Sequence, residues 1–368
     1  MKILQIRGAF EDNGPGSQTL TISEELRKRG HDVVLCCSGG MLVPKIKSKG
    51  FQVSIIPELA INKRNLFSVI KAIKALRSFL KENEIEIVHA HNAATLYLAY
   101  VASRFLSVKK KIKFFHSCRG VELRENYQWR NWIYKGYPAH LFAVCEFTQN
   151  ILMSFGVKKE QITITYNGVD LERFDISKID DRRKAIREEL NIPEDAFVVG
   201  IIGRMGVKGH DILIKAFNLL YKKYDNLYTV LVGEGETFES NNKLAKDFGI
   251  TDRTIFTGFR TDAEMLNAGF DIFALLSTEG EMFPNAILES MAYGHPFIAS
   301  RLSGIPEMAK NNEGFLVTIG NEQEVAERIE ELIKDTDLRY EMGKHARESV
   351  INVFNIVKVV DKIENAYQ

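Results

Sequence analysis

Thr278-Glu279-Gly280-Glu281-Met282-Phe283-Pro284-Asn285-Ala286-Ile287-Leu288-Glu289-Ser290-Met291-Ala292 is the stretch on which the reading of this chain turns. It follows an apolar run, 271–276, that reads as a buried strand. Pro284 suits a first helical position, where its fixed φ and missing N–H are no handicap. Ile287, Leu288, Met291 and Ala292 then recur at helical spacing. The stretch is therefore a strand, an acidic loop and a helix with an open amino end. Such an end binds anions, phosphate above all, and Asn285, Ala286 and Ile287 stand at it. Glu281 lies in the loop before the helix and Glu289 more than a turn inside it. Two carboxylates beside a phosphate site would repel phosphate, so they are read as acceptors for hydroxyls. Phosphate plus hydroxyls on two sides describes a nucleotide-sugar. The competing reading is an acidic turn with a solvated helix face.

Outward from this stretch, strand and helix alternate. In the first half, short apolar strands fall at 3–7, 31–37, 51–56, 85–89, 112–116, 141–144 and 162–166. Helical periods fall at 18–29, 66–81, 93–105 and 148–155. The pattern breaks after Asn167-Gly168-Val169-Asp170, where 171–193 is charged and contains no strand. It restarts with strands at 197–202, 228–232, 254–257, 271–276, 297–299 and 315–317, and is helical from 322 onward. Apolar strands separated by helices imply parallel sheets covered on both faces. A chain of 368 residues is also long for one core. The expected fold class is α/β, with two Rossmann-like doubly wound parallel-sheet domains, 1–170 and 194–353, joined by a linker at 171–193. Glycines and polar groups gather after the strands, where such sheets bind ligands. Two rims facing each other would make one cleft.

The net charge of +1 conceals an asymmetry. Residues 1–170 hold 25 Lys/Arg against 14 Asp/Glu, a balance of +11; the rest hold 24 against 34, a balance of −10. Halves of opposite sign suit attraction across a cleft, and a basic half suits an anionic membrane surface. No nucleic-acid partner is expected. Cys36, Cys37, Cys118 and Cys145 are spaced neither as a metal clip nor as a redox pair. A reducing cytoplasm fits them best. The amino terminus reads as a strand, not a secretory signal. No apolar run approaches the roughly 20 residues of a membrane span.

Several constellations could carry chemistry. Gly203-Arg204-Met205-Gly206-Val207-Lys208-Gly209 follows a strand and opens a helix. Arg204 and Lys208 there could neutralise a departing diphosphate; the plainer reading is a surface turn with solvated cations. No dinucleotide fingerprint or P-loop is present. Gly14-Pro15-Gly16 could bring backbone close to a phosphate or sugar, or be an ordinary turn. His89 and His91 share a strand face, but no third ligand lies near, so no metal is expected. His116 ends the next strand and could hold a sugar hydroxyl as a neutral imidazole. Each histidine could equally be a satisfied core residue. Leu66, Val69, Ile70, Ile73, Leu76 and Leu80 form a helical stripe, with Lys63, Arg64, Lys71, Lys74 and Lys81 off it. That pattern reads as a core-packed helix with a wet basic face, or as a membrane-surface helix. Lys109-Lys110-Lys111, Lys113, Tyr127, Trp129, Trp132, Tyr134 and Tyr137 support the second reading.

At these residues the chain resembles family 4 of the glycosyltransferases, which have the GT-B fold. The resemblance runs from residue 1 to about 353. It is carried by Gly14-Pro15-Gly16, Val88-His89-Ala90-His91, His116, Asn167 to Asp170, Gly203-Arg204, Lys208-Gly209, Gly233-Glu234-Gly235, Gly258-Phe259 and Glu281 to Glu289. It implies retaining, metal-independent transfer of a sugar from a UDP- or GDP-sugar to a glycan or lipid-linked acceptor, with no cofactor. It implies that Arg204 and Lys208 bind the diphosphate, with Gly203, Phe259 and Asn285–Ile287 also on the donor. Glu281 would hold sugar hydroxyls, Glu289 the ribose, and His116 would lie near the reacting carbon. The Gly14–Gly16 loop would close over the phosphates, and the helix 354–368 would return to the first domain. Two features depart from the family pattern. Met282 stands where glycine is usual, and the Arg204–Lys208 segment is one residue short, which leaves the role of Lys208 open. The expected setting is surface polysaccharide synthesis on the inner membrane face. The rival readings are a nucleotide-sugar epimerase or hydrolase on the same fold, and a sugar-binding partner subunit.

Overall fold

A computed structural model describes residues 1–60, 65–104, 106, 111–120 and 139–368. The chain divides into two compact units, 1–168 with 356–368, and 169–355.

In the first unit, β1 (Lys2–Ile6), β2 (Asp32–Cys37), β3 (Gln52–Ile55), β4 (Ile87–Ala90), β5 (Lys113–Cys118), β6 (Ala139–Ala143) and β7 (Ile162–Ile164) form a sheet. Among the described residues its order is β3-β2-β1-β4-β5-β6-β7, all parallel. Around it lie α1 (Gly14–Lys28), α2 (Val43–Ser48), α3 (Leu66–Glu82), α4 (Ala93–Arg104) and α5 (Glu146–Ser154). The strands are apolar on both sides because both faces are covered. Leu4, Ile6, Val34, Cys36, Val88 and Ala90 join the layer that contains Leu76, Leu80 and Leu96 of α3 and α4. Ile3, Val33, Leu35, Cys37 and Ile87 face the opposite layer with Ile22 and Leu26 of α1.

In the second unit, β8 (Phe197–Ile202), β9 (Leu227–Val232), β10 (Thr254–Gly258), β11 (Ile272–Leu275), β12 (Phe297–Ser300) and β13 (Gly314–Val317) make a parallel sheet of order β10-β9-β8-β11-β12-β13. Its helices are α6 (Ile179–Glu189), α7 (His210–Tyr221), α8 (Phe238–Phe248), α9 (Ala263–Ala268), α10 (Asn285–Met291), α11 (Glu322–Lys334) and α12 (Thr336–Asn352). The last helix of the chain, α13 (Ile356–Tyr367), belongs to the first unit. It buries Ile356, Val359, Val360, Ile363 and Tyr367 in the layer beside α1. Arg29 Nη1 donates to Asp361 at 2.8 Å and to Glu364 at 2.9 Å, and Lys113 Nζ donates to the Tyr367 carbonyl at 2.7 Å.

Three expectations are corrected. The segment 171–193 is not a linker: it carries α6 and is built into the second unit. Arg187, only 2% exposed, donates to Asp271 at 2.8 Å and to the carbonyls of Glu194 and Ala196 at 2.7 and 2.8 Å. Its charge made the helix look like a solvated connection. Gly14, Pro15 and Gly16 are not a loop but the first turn of α1, capped by Asn13, whose Oδ1 accepts from Gly16 N at 2.9 Å. The α3 stripe also divides: Leu76 and Leu80 are buried, but Leu66 and Ile70 are exposed. Lys63, Arg64, Lys109, Lys110, Tyr127, Trp129, Trp132, Tyr134 and Tyr137 lie outside the described residues.

Strand order reverses between β1 and β4 in one sheet and between β8 and β11 in the other. At such a reversal neighbouring loops diverge and leave a crevice at the carboxyl ends. Arg187 ties α6 to the start of β11; Arg187→Ala takes a donor from the Glu194 and Ala196 carbonyls, while Asp271 keeps Arg183 at 2.7 Å and Val198 N at 2.8 Å. A loss of about 1–3 kcal/mol is expected, read as a lower urea midpoint, and a change within 0.5 kcal/mol, roughly the spread of surface substitutions, would show the helix to be peripheral.

Candidate functional site

The carboxyl edge of the second sheet is packed at backbone distance. Gly203 N donates to Val232 O at 3.0 Å, Met205 N to Glu234 O at 2.9 Å, and Gly233 N to Gly258 O at 2.9 Å. A Cβ on Gly233 would lie 2.0 Å from the Gly203 carbonyl oxygen, and one on Gly209 would lie 2.2 Å from that of Leu276. Both glycines have positive φ, +127° and +80°. Only residues without a side chain allow this approach. The loop after β8 is laced to the loop after β11, with Leu276 N donating to Lys208 O at 3.2 Å and Thr278 N to Val207 O at 2.9 Å.

That lacing brings Lys208 to Glu281. The Lys208 ammonium donates to Glu281 Oε1, and Ser277 Oγ donates to the same oxygen at 2.9 Å. Glu281 is 5% exposed, whereas Lys208 is half-buried. The second carboxylate oxygen, Oε2, makes no hydrogen bond among the described residues. Arg204 stands farther out and forms an exposed ion pair with Glu236 at 2.7 Å. Phe259, after β10, is 52% exposed. Pro284 is the amino-terminal cap of α10 and not its first turn, with extended dihedrals. Helix α10 then starts at Asn285, with Asn285 and Ala286 half-buried and Ile287 fully buried.

Glu289 sits on α10 near Arg173 and Glu264. Burial pushes its carboxyl up to about 7; Arg173 opposes the shift and Glu264 adds to it. Arg173 Nη2 itself donates to Glu264 at 3.0 Å. Ser277, Arg173 and Glu264 were not anticipated. Arg173 lies in the segment read as a linker, Glu264 on the short α9, and nothing in the sequence marks Ser277.

Gly14, Gly16 and His116 belong to the first unit. Gly16 is required by crowding, since a Cβ there would lie 2.1 Å from the Glu11 carbonyl oxygen. His116 is 3% exposed on β5, and burial, then Arg119, lowers it to about 4, so it is neutral. His89 and His91 stack at 4.5 Å and are satisfied within the protein. His89 meets Tyr367 Oη at 2.7 Å and Ser117 Oγ at 2.8 Å; His91 meets Gln5 Oε1 at 2.6 Å. Burial holds both rings well below the usual histidine range. Among the described residues no group of three or more His, Cys, Asp or Glu is placed to hold a metal.

Two sequence profiles match this chain. "Glycosyltransferase Family 4" matches residues 12–173 and "Glycosyl transferases group 1" matches 182–349. The chain belongs to family 4 of the glycosyltransferases. This glycosyltransferase is 28% identical over 366 residues to the N-acetyl-alpha-D-glucosaminyl L-malate synthase of Bacillus anthracis, covering 96% of this chain and 93% of the relative. It is 27% identical over 358 residues to the UDP-Gal:alpha-D-GlcNAc-diphosphoundecaprenol alpha-1,3-galactosyltransferase of Escherichia coli, covering 94% and 90%. Its fold matches Anabaena HepE, solved with UDP and glucose, with a TM-score of 0.81 and 22% identity over 100% of this chain and 99% of that one. The two Rossmann-like units are thus those of the GT-B fold.

The raised carboxyl of Glu289 gives a direct test. With labelled glutamate, the Glu289 carboxyl resonance is expected to titrate near pH 7. Arg173→Gln removes the cation that favours the charged form and frees Glu264, so the midpoint moves higher. A midpoint in the ordinary carboxylate range would show that Glu289 is solvated.

Proposed function

We propose that this glycosyltransferase moves a sugar, with retention, from a UDP- or GDP-sugar to a hydroxyl of a glycan or lipid-linked acceptor in bacterial surface polysaccharide synthesis. The observation that carries this reading is the Lys208–Glu281 pair, set with Ser277 where β8 and β11 diverge. An ammonium and a carboxylate at one rim suit a ligand with a diphosphate at one end and hydroxyls at the other. The names of the relatives, one a UDP-Gal-dependent galactosyltransferase acting on a diphosphoundecaprenol, support the same donor and acceptor classes.

In this reading the diphosphate draws Lys208 and Arg204 to itself. Glu281, relieved of its cation, takes sugar hydroxyls. Glu289 in its ionised form accepts the ribose hydroxyls, Gly203 and Phe259 border the nucleotide, and Asn285, Ala286 and Ile287 lie toward the phosphates. Neutral His116 in the first unit is assigned a substrate hydroxyl. The bond from the anomeric carbon to the phosphate oxygen breaks as the acceptor oxygen attacks from the same face. The acceptor proton passes to the departing phosphate. No protein base and no metal are required, because the cations stabilise the charge that develops on the leaving group.

The acceptor side is assigned to the membrane surface. Helix α3 exposes Leu66 at 74%, Phe67 at 78% and Ile70 at 43%, with Lys71, Lys74, Arg77 and Lys81 also exposed. Apolar residues beside a basic face suit an anionic lipid surface. Among the described residues no helix is long and apolar enough to cross a membrane.

Glu281→Ala is expected to lower kcat on the order of 100-fold, with the circular-dichroism spectrum unchanged; near-full turnover would sink the assignment. In flotation assays the protein should bind anionic liposomes at low salt, release as salt rises, and bind less tightly as Phe67→Asp. Failure of the unmodified chain to float at low salt would retire the membrane role.

A further inference from the structure

Among the described residues, the carboxyl edge of the first sheet holds two arginines that no carboxylate pairs. Arg7 directly follows β1 and Arg119 directly follows β5, with β4 and His91 between them. This is the point where strand order reverses in that sheet. Arg7 Nε donates to the Ala9 carbonyl at 2.8 Å, while its Nη1 is buried and has no hydrogen-bond partner among the described residues. Arg119 donates from Nη1 to His91 Nδ1 at 2.7 Å and from Nε to Asn167 Oδ1 at 3.1 Å. Both partners are neutral. Since His91 Nδ1 accepts, its Nε2–H must donate to Gln5 Oε1, so His91 also has no negative charge to offer.

Neither arginine takes part in an ion pair among the described residues. The exposed Glu11 is the acid that acts on Arg7, and it only partly offsets the effect of burial, which lowers that guanidinium. Burial lowers Arg119 to about 9, and Arg7 pushes it further in the same direction. Two half-buried cations that repel each other disfavour the folded state unless something answers them. The platform under them is rigid. Ser38 N donates to Gly8 O and Phe10 N to Gly39 O, each at 2.8 Å, and a Cβ on Gly40 would lie 2.3 Å from the Phe10 carbonyl oxygen. Helix α1 begins a few residues on and has no acidic residue in its first turn. A buried, unpartnered N–H on a fixed guanidinium, beside a second guanidinium with neutral partners, is the recognition chemistry of an oxyanion.

We propose that Arg7 and Arg119 form an oxyanion site in the first unit, and that it takes a phosphate or carboxylate group carried by the acceptor. That the anion belongs to an acceptor rests on the transferase reading; that the site binds an anion does not.

The test is calorimetric titration of the full chain, in saturating UDP, with inorganic pyrophosphate and separately with malonate. Wild type should bind at least one of them. Arg7→Gln and Arg119→Gln should each weaken that binding about ten-fold or more, while Lys246→Gln, on the exposed face of α8, leaves it unchanged. Arg7→Lys and Arg119→Lys retain the charge and should recover most of the affinity. A purely structural role for the arginines would not move anion affinity in this charge-dependent way. Preference for pyrophosphate indicates a phosphate-bearing acceptor, preference for malonate a carboxylate-bearing one. No binding of either anion by wild type, or equal binding by wild type and both Gln variants, overturns the proposal. UDP binding is measured in parallel: its absence would fail the donor reading while the anion result stands.

Discussion

One ion pair on a buried carboxylate organises the carboxyl edge of the second unit. Glu281 is almost wholly removed from water, and a carboxylate so placed needs a cation and hydrogen-bond donors near it. Lys208 and Ser277 supply them. Lys208 reaches Glu281 only because its loop lies against the loop after β11, which the bare Cα of Gly209 permits. In the proposed function the pair is an exchangeable one. A ligand that offers Lys208 a stronger anion must offer Glu281 replacement donors, or the carboxylate is left stranded. Diphosphate and sugar hydroxyls in one molecule meet both demands together. A simple phosphate meets only the first, and a free sugar only the second.

The first unit follows a different electrostatic rule. Its carboxyl edge is filled by neutral imidazoles that satisfy one another's neighbours. His89 bridges Tyr367 and Ser117, which ties the last turn of α13 to β4 and β5. Burial favours the uncharged ring in each case. Neutral histidines hold no anion firmly, and the cations at this edge are arginines, which keep their charge. In the proposed reading, hydroxyl and anion recognition are thus separated by residue type along adjacent strand ends.

Much of this was legible in the sequence, for a reason that also explains the failures. Strands such as Ile87–Ala90 and Phe197–Ile202 are covered on both faces, so they appear as unbroken apolar runs. Glu281, Lys208 and the glycines at 203, 209 and 233 stood out because they follow those runs directly. Residues 171–193 misled because charge was taken as exposure. Arg187 is charged and buried, answered by Asp271 across 84 positions, and separations of that length leave no trace in a local window. The same blindness hid Arg173 and Glu264 near Glu289. Gly14 and Gly16 were read as a loop because glycine signals turns. Here Gly16 is helical, and it is glycine because the Glu11 carbonyl leaves no room for a side chain.

The charge asymmetry of the chain separates into three physical kinds of cation in the first unit. Arg29 is answered by Glu25, Asp361 and Glu364, and its charge serves to hold α13. Lys71, Lys74 and Lys81 are solvated on α3, where they add to a long-range field that salt screens. Among the described residues Arg7 and Arg119 enter no ion pair, and neither is fully solvated. Solvated charges steer and paired charges brace, and both are tolerated without a ligand. Half-buried cations facing neutral groups are tolerated only at a cost to the fold. The excess of +11 in residues 1–170 is therefore not one property but a sum of unlike ones, and its smallest part carries the most chemical information.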